Sequence, residues 1–326
     1  MSTLVDPILK APLNVEWEIT KACNLRCRHC YTSAGVKERE ELQTNDVLHI
    51  IDHLDRVGIS DITISGGEPL LRNDLEVIIA EITRREIPVA LYTNGLLLSQ
   101  ERQQSLKKAG VRTFSLSLNG VKRETHNFVH GADTFDTIMK KITQLKNDNL
   151  HAHALYTLMK VNLKEASELP FFMDKIGLGA LCIYPFYPAG RGAHHLADLE
   201  AGGEELYRII KELLKDKRIY LGGCLRGIFD PILIKGSPCA KLMCVITSEG
   251  RLRPCNFLPF TTEESLLHKD IYELWKSPVF EKIRTWQSTV EKDCQSCEYV
   301  KLCKGKCLAF HMPFLKKEEE AHFEST

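Results

Sequence analysis

Short apolar runs rich in β-branched and aromatic residues recur along the first two-thirds of the chain, and between them lie longer stretches whose apolar residues fall three or four positions apart. The runs NVEWEIT at 14–20, DITISGG at 61–67, VALYTNG at 89–95, TFSLSLNG at 113–120, HAHALYTLM at 151–159 and ALCIYPFY at 180–187 have the length and composition of strands. The stretches 44–57, 73–85, 99–109, 133–148 and 164–176 read as amphipathic helices, with Val47, Ile50, Ile51 and Leu54 marking the first apolar stripe. Alternation of strand and helix predicts an α/β protein with a parallel sheet and right-handed crossovers. Six such units suit a partial barrel better than a closed eight-fold one.

Several of these strands end in glycine or small polar residues: Gly66-Gly67-Glu68, Thr93-Asn94-Gly95, Ser117-Leu118-Asn119-Gly120 and Pro188-Ala189-Gly190-Arg191-Gly192. In a barrel the loops after the C-terminal strand ends converge on one mouth, so a site is expected there. Tyr92, Tyr156 and Tyr187 read either as core or as pocket lining. A further amphipathic helix follows at 196–218, and Gly222-Gly223, Gly236 and Pro238 punctuate a boundary. The expected organisation is an N-terminal extension at 1–13, a barrel at 14–192, a bridging helical segment at 193–235 and a small C-terminal domain at 236–326. In that last domain the strands are short and the core thin, so bound metal is expected to supply much of its stability. The charged end, Lys316 to Thr326, is expected to fray.

Composition narrows the picture. At 44% hydrophobic and 26% charged residues over 326 positions, the chain is neither disordered nor fibrous. Its 43 basic residues balance 43 acidic ones, so no global field attracts nucleic acid or an anionic membrane, and neither is an expected partner. No uncharged apolar run reaches the length of a membrane span, and the N-terminus lacks the basic start and apolar core of a secretory signal. A cytoplasmic location is therefore expected, where twelve cysteines are not a disulfide framework.

The cysteines fall into two groups. Cys23, Cys27 and Cys30 lie in the loop after the first strand, and Cys239, Cys244, Cys255, Cys294, Cys297, Cys303 and Cys307 crowd the last quarter; Cys182 and Cys224 stand apart and read as buried structural residues. Clustered thiolates bind soft metal ions. Three thiolates leave one iron of a four-iron cubane open to another ligand, whereas zinc wants a closed set of four, for which His29 is the only near candidate and is awkwardly adjacent to Cys30.

The segment KACNLRCRHCY together with SGGEPLL resembles the radical S-adenosylmethionine (radical SAM) superfamily. The resemblance implies a partial (β/α)6 TIM-like barrel and a 4Fe–4S cluster on Cys23, Cys27 and Cys30. The amine and carboxylate of S-adenosylmethionine chelate the open iron, and reductive cleavage yields a 5'-deoxyadenosyl radical that abstracts hydrogen from substrate. It also implies cofactor contacts from Gly66, Gly67, Glu68 and Pro69, from Thr93 and Asn94 beneath the ribose, and from Ser117 and Asn119. Asn119 stands where many members carry Asp, and His130 near a common Arg. Arg191 is the candidate substitute partner for a carboxylate, since its fork matches that group.

The C-terminal spacing, Cys239-x4-Cys244-x10-Cys255 and then Cys294-x2-Cys297-x5-Cys303-x3-Cys307, with Gly250-x4-Cys255 inside it, resembles the SPASM extension of these enzymes. A small cysteine-rich C-terminal SPASM domain is thus implied, with a first auxiliary 4Fe–4S cluster on Cys239, Cys244, Cys255 and Cys307. A second would use Cys294, Cys297 and Cys303. No cysteine follows Cys307, so its fourth ligand is left to His311, His322, substrate or nothing; a single auxiliary cluster with bystander cysteines is the alternative.

The leading expectation for function is oxidative modification, a crosslink or thioether, of a ribosomally made peptide. CNFLPF, YTSAG and PAGRG are also similar to a branch that modifies tetrapyrrole side chains in haem and haem d1 synthesis. A carbohydrate or aminoglycoside dehydrogenase or epimerase, with Cys182 or Cys224 returning hydrogen, and a non-catalytic iron-sulfur electron carrier are the remaining readings. Expected partners are a peptide or small-molecule substrate and an external electron donor such as flavodoxin or ferredoxin. Only 13 residues precede the first strand, so any leader-recognition domain is expected as a separate leader-binding protein or not at all.

Overall fold

The computed structural model describes residues 9–148, 150–201, 203–223, 238–285 and Ala309. All six expected strands form: β1 Asn14–Glu18, β2 Asp61–Ser65, β3 Val89–Thr93, β4 Val111–Ser117, β5 His151–Leu158 and β6 Ala180–Pro185. They pair in chain order and in parallel. The crossovers carry helices α1 Thr44–Val57, α2 Leu75–Arg84, α3 Gln100–Ala109, α4 Arg123–His130, α5 Phe135–Asn147 and α6 Leu169–Ile176. Helix α4 was hidden from the hydrophobic pattern because its buried side is Val129 flanked by two histidines, His126 and His130.

Each strand has two unlike faces. Val15 and Trp17, Ile62 and Ile64, Leu91, Phe114 and Leu116, Tyr156, and Leu181 and Ile183 join one core with the helix stripes, Val47, Ile50, Ile51 and Leu54 among them. The residues between them, Glu16, Ser65, Tyr92, Ser117, Leu155, Thr157 and Tyr184, face a cavity instead. Parallel strands buried on both sides are normally apolar throughout, so this polar concave face is where the sheet departs from packing needs alone.

The sheet continues past the six units. The expected helix at 196–218 is two, α7 Leu196–Leu199 and α8 Gly203–Leu213, divided where the sequence reads Ala201-Gly202-Gly203, and β7 Ile219–Leu221 then pairs with β6. On the other edge, β8 Met243–Ile246 lies parallel to β1 with Asn14 opposite Met243 and Trp17 opposite Ile246, and β9 Leu252–Arg253 runs antiparallel to β8. The order of the nine strands is β7-β6-β5-β4-β3-β2-β1-β8-β9.

Much of the described stretch 238–285 packs into the barrel's own core. Cys244, Ile246, Leu252, Leu266, Ile271, Leu274, Trp275 and Phe280 belong to the principal core, and Trp275 Nε1 donates to the Leu9 carbonyl at 2.8 Å. Short strands suffice here because they add to an existing sheet edge rather than build their own. Truncating Ile246 to alanine is expected to cost about 2–4 kcal/mol, as a buried isoleucine does. Urea denaturation of the metal-free protein then shows one transition shifted as a whole; an early transition confined to the C-terminal part would contradict a shared core.

Candidate active site at the barrel mouth

The loop after β1 is held from several sides before any metal binds. Cys23 N donates to Gly35 O at 2.9 Å and Gly35 N to Lys21 O at 2.8 Å. The Thr20 hydroxyl and Lys21 N both donate to the Glu41 carboxylate, at 3.0 and 2.7 Å. Arg191 donates through Nη1 to Cys27 O at 2.9 Å and through Nη2 to Ala34 O at 2.7 Å, and its backbone N–H reaches Cys30 O at 2.9 Å. The arginine fork therefore grips the loop backbone, and Arg191 is not among the residues lining the cavity.

Cys23, Cys27 and Cys30 are free thiols lining one cavity of about 190 Å³. Burial, and then the neighbouring thiols, push Cys27 well above the ordinary thiol range; burial also raises Cys23. A metal must displace their protons on binding. Among the described residues no three His, Cys, Asp or Glu side chains are arranged to hold a single ion. Three thiols opening on one cavity fit the wider span of an iron-sulfur cluster with a position left for another ligand.

Gly66 and Gly67 have a reason to lack side chains besides ligand approach. Gly66 has φ +126°, and a Cβ would sit 2.4 Å from Thr20 O; on Gly67 it would sit 2.1 Å from Ala22 O. Gly67 N and Glu68 N donate to those same carbonyls at 2.7 and 2.8 Å, so the end of β2 is stitched to the cysteine loop. Both glycines also line the cavity, whereas Glu68 and Pro69 do not. Glu68 is fully buried, and its carboxylate accepts from Thr93 Oγ1 at 2.7 Å, Asn94 N at 2.8 Å and Leu70 N at 3.1 Å. Burial raises its pKa to about 7 against the pull of those donors. The Glu68 carboxylate thus joins the ends of β2 and β3. Pro69 opens the short turn Pro69–Leu71 behind it.

Thr93, Asn94, Ser117 and Asn119 all line the cavity. Asn119 organises a histidine cluster. Its Oδ1 accepts from Thr157 N at 2.8 Å, which orients Nδ2 toward His130 Nε2 at 3.2 Å and His29 Nε2 at 3.5 Å. His130 Nε2 must then be the acceptor, with its proton on Nδ1 facing Thr134 Oγ1 at 3.3 Å. His126 Nδ1 accepts from Asn119 N at 3.3 Å, so its proton sits on Nε2, 3.0 Å from the same Thr134 oxygen. A second proton on either ring would set one N–H against another. Burial accordingly lowers His126 to about 4 and His130 well below the usual histidine value. His29 faces Asn119 and is lowered to about 4 by burial.

The opposite wall comes from residues the expected cofactor contacts did not include, two of them in the CNFLPF segment. Phe257 stacks on Tyr187, ring centroids 3.7 Å apart at 12°, and meets Tyr31 edge-on at 5.2 Å. Tyr92 and Tyr184 touch through their hydroxyls at 3.4 Å. Tyr92 and Tyr187 thus line the cavity, whereas Tyr156 belongs to the core. Glu16, Tyr184, Asn256 and Phe257 were missed; alternation in NVEWEI, which puts Glu16 and Glu18 opposite Val15 and Trp17, was the available signal.

Of the C-terminal cysteines, Cys239 and Cys255 meet in one small cluster with Tyr187, Leu258 and Ala309. Cys244 lies instead in the principal core, on β8 opposite Val15, fully buried. Its neighbour Met243 pairs with Cys239 in an isolated bridge. Cys224, Cys294, Cys297, Cys303, Cys307, His311 and His322 lie outside the described residues.

A half-barrel whose strand ends gather three thiols and a glycine pair around one cavity defines an enzyme of the cluster-dependent barrel class. Residues 17–171 match the Radical SAM superfamily; the cofactors of that family are a 4Fe–4S cluster and S-adenosylmethionine. The chain is 28% identical over 316 residues to the mycofactocin maturase MftC of Mycolicibacterium smegmatis, covering 92% of this chain and 79% of that one. It is 29% identical over 319 residues to an AdoMet-dependent heme synthase of Methanosarcina barkeri, covering 90% and 91%. Streptococcus suis SuiB bound to its precursor peptide SuiA shares the fold, with TM-score 0.77 at 19% identity over 96% of this chain and 75% of that one. Among the described residues no helix is long and apolar enough to cross a membrane.

Two outcomes follow from this geometry. Histidine 126 stays neutral in the native state down to about pH 4 but protonates near 6.5 when unfolded. The unfolded state therefore binds more protons across that window, and stability falls as pH falls. His126→Asn should flatten that fall by up to about 1.4 kcal/mol per pH unit, read from urea denaturation of the metal-free protein between about pH 6 and 4.5; an unchanged slope would mean His126 is not held neutral. Separately, Cys244→Ala should keep its full iron content after anaerobic reconstitution, whereas Cys255→Ala should lose about four irons per chain, as one cubane requires.

Proposed function

We propose that this protein oxidatively modifies a ribosomally made peptide, forming a crosslink or thioether. The relationship to a maturase across 92% of the chain carries the reading. The cavity supports it: a peptide side chain entering the mouth meets the flat Tyr187–Phe257 wall on one side and the cofactor-facing strand ends on the other. Cys23, Cys27 and Cys30 would hold the 4Fe–4S cluster, and the backbone of Gly66 and Gly67 with Thr93, Asn94, Ser117 and Asn119 would hold S-adenosylmethionine. When bound, the pair supplies a hydrogen-abstracting 5'-deoxyadenosyl radical.

The protein's own part is positioning and exclusion of water. The Arg191 clamp and the bonds to Glu41 keep the three thiols facing the cavity. The neutral imidazoles around Asn119 give hydrogen-bonding partners without a fixed charge. An external one-electron donor of the flavodoxin or ferredoxin kind completes the requirement, since cleavage consumes an electron. Cys239 and Cys255 are proposed as ligands of an auxiliary cluster beside the aromatic wall, where it would accept the one electron that a substrate radical gives up, with a proton, in becoming the oxidised product.

A second reading, oxidative change at a tetrapyrrole side chain, rests on the heme synthase relative, 91% of whose length this chain spans. The experiment is incubation of anaerobically reconstituted protein with S-adenosylmethionine, dithionite and either a short peptide encoded beside its gene or an iron porphyrin bearing propionates. The expected result is 5'-deoxyadenosine with loss of two hydrogens from the peptide by mass spectrometry. An unmodified peptide and a porphyrin shortened at a propionate would put the second reading in its place.

A further inference from the structure

Glu16 projects from β1 into the cavity, and its carboxylate joins three segments that are remote in sequence. Oε1 accepts from the Tyr31 hydroxyl at 3.0 Å and from Ser65 Oγ at 2.8 Å; Oε2 accepts from Asn256 Nδ2. Tyr31 follows Cys30, Ser65 precedes Gly66-Gly67, and Asn256 follows Cys255. One anion thus links the thiol loop, the glycine strand end and the loop of the C-terminal thiols.

Tyr31 is confined from its other sides too. Phe257 meets its ring edge-on at 5.2 Å, and Gly190 packs so close that a Cβ there would lie 2.2 Å from Tyr31 O. Hydrogen bonds to a charged acceptor are stronger than neutral ones. A change at Asn256 therefore reaches Cys30 through two bonds and a single side chain, without any contact of its own with the first thiol group.

We infer that Glu16 is a positioning residue that couples the C-terminal thiol loop to the first cluster site, with Asn256 as the donor on the C-terminal side and Tyr31 as the donor on the barrel side. The function is to set how the first cluster and S-adenosylmethionine sit relative to each other once the extension has docked. The inference rests on Cys23, Cys27 and Cys30 being the first cluster's ligands, and is independent of the substrate.

The test reads the cluster rather than turnover. Asn256→Asp sets one carboxylate against another, and Glu16→Gln combined with Asn256→Asp restores a donor–acceptor pair in reversed polarity. The measurements on reduced, reconstituted holoprotein are the change in the electron paramagnetic resonance spectrum on adding S-adenosylmethionine, and the affinity for it. Asn256→Asp is expected to weaken binding about tenfold and to diminish the spectral change, and the double variant to return both to near the wild-type values. Thr262→Val removes a buried hydroxyl that bonds Leu252 N and Glu264 O elsewhere in the extension, and is expected to alter neither readout. Should Asn256→Asp fail to fold, Tyr31→Phe keeps the ring, removes the hydroxyl and is expected to shift the spectrum in the same way. A wild-type spectrum and affinity in Asn256→Asp or Tyr31→Phe, or a double variant no better than Asn256→Asp, overturns the coupling. A spectral change that survives replacement of Cys23, Cys27 and Cys30 by alanine overturns the ligand assignment instead, and the coupling with it.

Discussion

Two carboxylates on the concave face of one strand govern how the molecule closes. Val15 and Trp17 must face the helices, so Glu16 and Glu18 must face inward, where an unpaired carboxylate costs several kcal/mol. Burial raises the pKa of Glu18 while its ion pair with Arg253 opposes that shift. Glu16 finds its donors in Tyr31, Ser65 and Asn256. Arg253 and Asn256 reach β1 because β8 pairs alongside it and β9 turns back. Satisfying the two anions therefore requires the cysteine loop to fold over the mouth and the extension to dock against it.

The same logic explains the character of the opposite wall. Asn119 Oδ1 accepts from Thr157 N and its amide hydrogens point to His130 and His29, while the Thr134 hydroxyl oxygen accepts from His126 and His130. Every partner is neutral. Such a lining binds polar atoms by direction without setting a fixed charge beside them. Charges near the mouth are either compensated in place, as with Glu16 and Glu18, or turned onto backbone, as with Arg191.

The six barrel strands were legible because alternation of period two and helical stripes of period three to four are properties of local sequence. The thiol loop and the glycine pair were legible because their spacing is unusual. What escaped was set by distant contacts. The roles of Glu68 and Arg191 depend on Thr93, Asn94, Cys27 and Ala34, which sequence proximity does not reveal. Cys244 looked equivalent to Cys239 and Cys255 until strand pairing put it on the core face of β8. Helix α4 vanished from the pattern because histidines, buried through hydrogen bonds rather than apolarity, hold its inner side.

The cavity is lined from two parts of the chain. Cys23, Cys27, Cys30, Gly66, Gly67, Thr93, Asn94, Ser117 and Asn119 all fall within the matched span 17–171 and face the cavity from one side. Tyr184, Phe186, Tyr187, Asn256 and Phe257 line it from beyond that span. On the proposed placement of the cofactors against the first set, the second set is what an entering substrate would meet. On the same proposal, discrimination would fall to the Tyr187–Phe257 wall and to the Asn256 contact that ties its loop to Glu16, since both lie outside the span that carries the three thiols and the glycine pair.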